Sequence, residues 1–107
     1  VFFHQERLRA SEALPGIRRS AIWMDRVMMT FFQFEPESVV PEHAHENEQI
    51  TLVTAGEMEF TLDGETRRLY TGDGVCVPAG VPHSARILDQ ATSAIDAWAP
   101  PREEYRC

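Results

Sequence analysis

The sequence predicts an all-β fold, a small barrel or double-sheet roll forming a single domain over residues 1–107. Three observations carry this expectation. Its apolar runs are short, rich in β-branched and aromatic residues, and interrupted by Gly, Pro or Asp every eight to twelve residues, the spacing of an antiparallel sandwich or barrel. Residues Glu57–Leu62 alternate, with Met58, Phe60 and Leu62 on one face and Glu57, Glu59 and Thr61 on the other, as a half-buried strand must. Asp63-Gly64 follows at once, a pair that accepts the positive φ angles of a two-residue hairpin turn.

Taken in order, residues 5–13 have the composition of a helical turn, which Pro15-Gly16 ends. Residues 27–34 (VMMTFFQF) form a strand that stops at Glu35-Pro36-Glu37-Ser38. Residues 49–54 (QITLVT) form another, turned by Ala55-Gly56 into Glu57–Leu62. Residues 67–70, 75–77, 84–88 and 94–98 complete the strands. A chain of 107 residues can bury one core but not two.

Composition narrows the function classes. Ten Lys and Arg against 17 Asp and Glu give a formal net charge of -7, which argues against a nucleic-acid partner and against adhesion to an acidic membrane. No apolar run is long enough for a membrane span, and no signal-peptide pattern is present. Two cysteines, Cys76 in an apolar stretch and Cys107 at the end, do not make a disulfide framework. Together these features point to a cytoplasmic protein.

The chemistry concentrates in PEHAHENEQ, residues 41–49, and in the tail. Alternate residues of a strand share a face, so His43 and His45 can point into one lumen. If the segment stays extended, Gln49 joins them and Glu46 and Glu48 point away. The plainer alternative makes His43 and His45 surface loop residues and leaves His83 merely following a turn. His4 is read as a surface residue. In the tail, Asp96 and Trp98 share a strand face, and Pro100-Pro101 lets Arg102 fold over the barrel mouth. These would supply an acid/base carboxylate, an aromatic wall and a fork suited to a carboxylate, a set that suits a small sugar acid. The plainer alternative puts Trp98 in the core, Asp96 on backbone donors and Arg102 in a surface pair with Glu103 or Glu104.

Here the chain resembles the cupins, which carry two spaced motifs. The first runs glycine, five residues, His-x-His, three or four residues, glutamate, six residues, glycine. The second runs glycine, five residues, Pro-x-Gly, two residues, histidine, three residues, asparagine. This chain has His43-Ala44-His45, Gln49 and Gly56 at the first set of gaps (about 37–56), and Gly72, Pro78-Ala79-Gly80 and His83 at the second (about 72–87). Glu37 stands where the first motif opens with glycine, Ile87 where the second closes with asparagine, and Gln49 where the ligand glutamate is expected.

The resemblance implies a cupin double-stranded β-helix, a jelly-roll barrel. It also implies one divalent metal ion (Zn, Ni, Mn or Fe) held by His43, His45, Gln49 and His83. A neutral amide in place of a carboxylate leaves the ion its full charge, favouring polarisation of substrate oxygens over oxygenase chemistry.

The ending Ile95-Asp-Ala-Trp-Ala-Pro-Pro-Arg-Glu-Glu-Tyr, within the tail 95–107, resembles the D-x-F-x-P-x-R-E-D-Y ending of the small cupins of pectin and alginate breakdown, the KdgF type. That resemblance implies a metal-dependent enzyme that converts a 4,5-unsaturated uronate to its linear keto form. Asp96, Trp98 and Arg102 would be its catalytic residues. Trp98 for Phe and Glu104 for Asp are departures. A polyketide cyclase-like cupin, a dioxygenase and a non-catalytic small-molecule binder are the alternatives. Met24, Met28, Met29, Phe32 and Phe34 would form either an apolar pocket or plain core. Small cupins commonly pair through their sheets, so a homodimer is expected, with Val1-Phe2-Phe3 either adding an intermolecular strand or packing on its own barrel.

Overall fold

The structure, a computed structural model, describes residues 1–106; expectations for Cys107 lie outside the described residues. Among the described residues ten strands form two antiparallel sheets. The strands are β1 (Ala10–Leu14), β2 (Ile17–Trp23), β3 (Met28–Phe34), β4 (Val39–His43) and β5 (Glu48–Ala55). They continue with β6 (Glu57–Leu62), β7 (Glu65–Tyr70), β8 (Gly74–Val77), β9 (His83–Ile87) and β10 (Thr92–Ala99). One sheet has the order β1-β2-β3-β10-β5-β8 and the other β4-β9-β6-β7. The expected all-β double-sheet roll is therefore what the chain forms.

Period-two patterning decides which side chains meet between the sheets. On β10 every second residue, Thr92, Ala94, Asp96 and Trp98, is buried. On β5 the buried set is Gln49, Thr51 and Val53. Met58 and Phe60 of β6 face them from the second sheet, with Ala85 and Ile87 of β9. Ile17, Phe34, Leu69 and Val77 close the core. Each large apolar side chain so buried contributes about 1.5–3 kcal/mol before entropy is counted.

The hairpin between β6 and β7 turns on Asp63 (φ 49°) and Gly64 (φ 83°), as the dipeptide predicts. Gly56, which turns β5 into β6, has φ 82°, and a Cβ there would meet Thr92 Oγ1 at 2.5 Å and Ala91 O at 2.7 Å. Only glycine fits. Glu37 also sits at positive φ (68°), so the position where the cupin motif has glycine keeps the glycine conformation although its residue has changed.

Several expectations need correction. The expected helical turn over 5–13 is a three-residue 3-10 turn, Gln5–Arg7, after which β1 runs as an edge strand paired to β2. The residues of β1 are good helix formers, but β2 offers an open edge, and pairing outweighs propensity. Strand β4 accommodates Pro41, which suits its place at a sheet edge. Cys76, within its apolar stretch, is an exposed free thiol on β8. Among the described residues no helix is long and apolar enough to cross a membrane.

Candidate metal centre

His43 ends β4 and His83 begins β9, and the two are cross-strand partners in the four-stranded sheet. Gln49 lies near the start of β5, in the other sheet. His45 belongs to neither strand; it lies in the connection that crosses from one sheet to the other. Contrary to expectation, residues 43–49 do not form one extended strand, and shared parity is not what brings Gln49 to the histidines. Gln49 is inward because β5 alternates, and this same alternation turns Glu48 outward. Glu46 is exposed as well. The crossing is pinned by Gly80 N–H donating to His45 O (2.8 Å) and by Asn47 Nδ2 donating to Pro100 O (2.6 Å).

Candidate ligand atoms of His43, His45 and His83 lie within 4.8 Å of one another. Each ring has its Nδ1 against a backbone carbonyl: His43 on Pro41 O (2.9 Å), His45 on Asn47 O (3.0 Å) and His83 on Val81 O (2.9 Å). A carbonyl can only accept, so each Nδ1 carries the proton and each neutral ring has its lone pair on Nε2. This is the arrangement by which proteins orient metal-binding imidazoles. Burial holds His45 and His83 below the usual imidazole range, favouring the neutral, ligating form.

Gln49 is oriented just as firmly. Its Nε2 donates to Thr51 Oγ1 (2.8 Å) and to Asp96 Oδ2 (3.3 Å), which turns Oε1 towards His45 Nε2 at 3.1 Å. With Nδ1 protonated on His45, that contact joins two acceptors. His83 Nε2 is buried with no hydrogen-bond partner. Two lone pairs facing each other and an orphaned third satisfy no hydrogen bond, but they fit a shared cation. The set of three imidazoles and an amide fits a divalent ion with bonds of about 2.1 Å.

The centre opens into a cavity of about 440 Å³ between the sheets. His43, Gln49, His83, Asp96, Trp98 and Arg102 all line it. Asp96 is buried, and burial pushes its carboxyl up to about 7. It does not rest on backbone donors: Gln49 and Thr51 hold it, and Oδ1 has no partner. Trp98 is at once core and wall, 3% exposed, with its indole N–H donated to Thr30 Oγ1 (2.9 Å) and its ring 5.2 Å from that of His45.

Arg102 does pair with Glu104 (2.9 Å), but its Nε and Nη1 are buried without partners. Its guanidinium stands 5.3 Å from the Trp98 ring and 4.6 Å from that of Tyr105. Of the apolar candidates, Phe32 and Phe34 stack at 5.6 Å and line the cavity, Met28 is core, and Met24 and Met29 are exposed elsewhere. His4 is exposed and caps the first 3-10 turn, as a surface residue would. Sequence reasoning missed Arg19 and Tyr105, which also line the cavity, 3.7 Å apart from guanidinium to ring centroid.

Comparison with known proteins is in keeping with this geometry. The cupin domain family matches residues 30–95, more than half of the chain. The pectin degradation protein KdgF of Dickeya dadantii strain 3937 is 30% identical over 106 residues, covering 97% of this chain and 96% of that protein. The structure of KdgF from Halomonas sp. superposes with a TM-score of 0.91 at 31% identity, covering 97% of this chain and 96% of that one. An RmlC-like cupin from Shewanella frigidimarina superposes at 0.92 with 27% identity, over 97% and 94% of the two chains.

Proposed function

The chain belongs to the cupin family and is similar to KdgF over nearly its whole length, and from this premise we propose that it is a metal-dependent enzyme opening a 4,5-unsaturated uronate to its linear keto form. The observation that carries the reading is that one cavity is lined by His43, Gln49 and His83, which cluster with His45, and also by Asp96 and by Arg102 with its unpartnered donors. A bound divalent ion would supply Lewis-acid polarisation of substrate oxygens, undiminished by any carboxylate ligand.

The protein's own residues divide the rest of the work. Arg102 offers Nε and Nη1, which have no partner in the protein, to the substrate carboxylate in a charge-assisted contact. Trp98 forms a flat wall against the sugar ring. Asp96, which lines the cavity and has no partner on Oδ1, takes the proton of the C1 hydroxyl as the C1–O5 bond breaks. The enolate left at C5 becomes the ketone when the same proton is delivered to C4. Atoms balance, because the reaction is an isomerisation.

Incubation of the metal-loaded protein with unsaturated galacturonate tests the reading: enol-ether absorbance should fall. A rate equal to that in buffer, at full metal occupancy, would remove it. A second reading rests on the apolar depth of the cavity, where Ile17, Phe32, Phe34, Met58 and Phe60 face inward. That lining suits an aromatic substrate, as in a polyketide cyclase-like cupin. Oxygen uptake by iron-loaded protein would instead reveal a dioxygenase, and saturable ligand binding without turnover a non-catalytic binder.

The protein is further proposed to be a cytoplasmic homodimer. On the outer face of the six-stranded sheet, Ala97 registers with Met29 and Ile50, and Ile95 with Phe31 and Leu52. Met29, Ile50 and Leu52 are exposed, so three adjacent strands present one apolar stripe, a self-complementary surface for a two-fold pair. Val1-Phe2-Phe3 forms no strand here; Phe3 packs on Phe31 at 6.3 Å, at the stripe's margin.

A further inference from the structure

The chain has a formal net charge of -7, yet two arginines, Arg19 and Arg102, line the cavity between its sheets. Arg102 comes from the tail. Arg19 comes from β2, where its register partner is the cavity-lining Phe32. The two share one aromatic ring: Arg19 Cζ lies 3.7 Å from the Tyr105 centroid and Arg102 Cζ 4.6 Å. Their electrostatic surroundings differ. Arg102 is partly neutralised by its ion pair with Glu104, whereas Arg19 is in none of the ion pairs among the described residues. Glu104 feels Arg19 only as a more distant charge.

Two like charges held against one ring, one of them uncompensated, cost energy unless an anion joins them. A carboxylate has two oxygens and can satisfy two guanidinium groups at once. We propose that Arg19 is the second carboxylate-recognising residue of this site, forming with Arg102 a two-guanidinium clamp mounted on Tyr105 that selects anionic over neutral sugars. This rests on the sugar-acid reading, and it adds a specificity residue from a different strand and a different part of the chain. Lysine would not be equivalent, because a point charge neither stacks on Tyr105 nor offers a planar fork.

Calorimetric titration of the zinc-loaded protein with galacturonate and with galactose, neither of which carries the reactive double bond, reads the clamp without chemistry. The wild type should prefer galacturonate by tenfold or more. Arg19→Gln should lose about tenfold in galacturonate affinity and leave galactose affinity unchanged. Arg19→Lys should fall between the two. Trp98 emission reports whether Tyr105 remains docked, since the two rings meet edge-on at 5.6 Å. A brace for the tail would change that emission and weaken both sugars alike; a clamp changes their ratio. If emission shifts in Arg19→Gln, Arg19→Lys decides, and a galacturonate-to-galactose ratio equal to wild type in that variant overturns the proposal. So does a wild type that binds both sugars equally or neither. Turnover is independent of this result: selective binding without ring opening would defeat the proposed reaction and leave the clamp standing.

Discussion

His45 Nε2 faces Gln49 Oε1 across 3.1 Å, and neither atom has a proton to give the other. The imidazole proton is committed to Asn47 O, and the amide protons are committed to Thr51 and Asp96. Such a contact is repulsive until a cation lies between the two atoms. Gln49→Ala removes one donor, and we expect metal affinity to fall by about 10-fold or more. Gln49→Glu is a different experiment, because a carboxylate cannot donate to Asp96. It should bind metal at least as tightly but turn over more slowly, as the ion's charge is partly cancelled. Competition with a fluorescent chelator, together with rates at full occupancy, separates the two effects; equal rates in wild type and Gln49→Glu would contradict the role given to the neutral ligand.

Asp96→Asn should lower kcat by about 10²–10⁴-fold, the usual contribution of a positioned acid/base, while galacturonate still binds. A variant that retains the wild-type rate would remove Asp96 from the mechanism.

The same carboxyl sets a pH dependence in the metal-free protein. Burial raises its folded-state value from 3.8 to about 7. Below about pH 4 the group is protonated in both folded and unfolded chains and costs nothing. Between about pH 4 and about 7 the unfolded chain loses its proton and the folded one keeps it, so folding stability falls as pH rises, by up to roughly 4 kcal/mol. Asp96→Asn should abolish that slope. Urea melts of the two metal-free proteins across this range check it, and parallel curves would contradict the buried-acid account.

Glu37 occupies a left-handed conformation at φ 68°, which costs a non-glycine residue about 1–2 kcal/mol. Glycine relieves this but adds about 0.5–1 kcal/mol of unfolded-chain entropy. Glu37→Gly should therefore stabilise by about 0.5–1 kcal/mol, seen as a higher urea midpoint at unchanged slope.

Leu52→Asp places a charge in the apolar stripe shared with Ile95 and Phe31. If a second copy covers that stripe, sedimentation should show a dimer for wild type and a monomer for the variant, with metal content unchanged. Identical sedimentation of both proteins would discard the interface.

Much of this was legible in the residues because it depends on short-range rules. The alternation of Glu57–Leu62 and the Asp63-Gly64 turn act within a few residues, and motif gaps measure loop lengths that a roll enforces. The strand β1 was not legible, because Ala10–Leu14 owes its conformation to the edge of β2 rather than to its own composition. Gln49 was assigned inward for an incomplete reason, since nothing local shows that the chain changes sheets after His43. Arg19 gave no signal at all: beside Arg18 it reads as a solvated charge pair, and only the folding of the tail brings Tyr105 over it.

The central claim is that three histidines and one glutamine, with no carboxylate, hold a single divalent ion. An anomalous-scattering map from metal-loaded crystals tests it most directly. One peak is expected, about 2.0–2.3 Å from the Nε2 atoms of His43, His45 and His83 and from Gln49 Oε1, with Glu48 pointing to solvent. A peak ligated by Glu48, by an Nδ1 atom, or by the histidines with Gln49 turned away would contradict it.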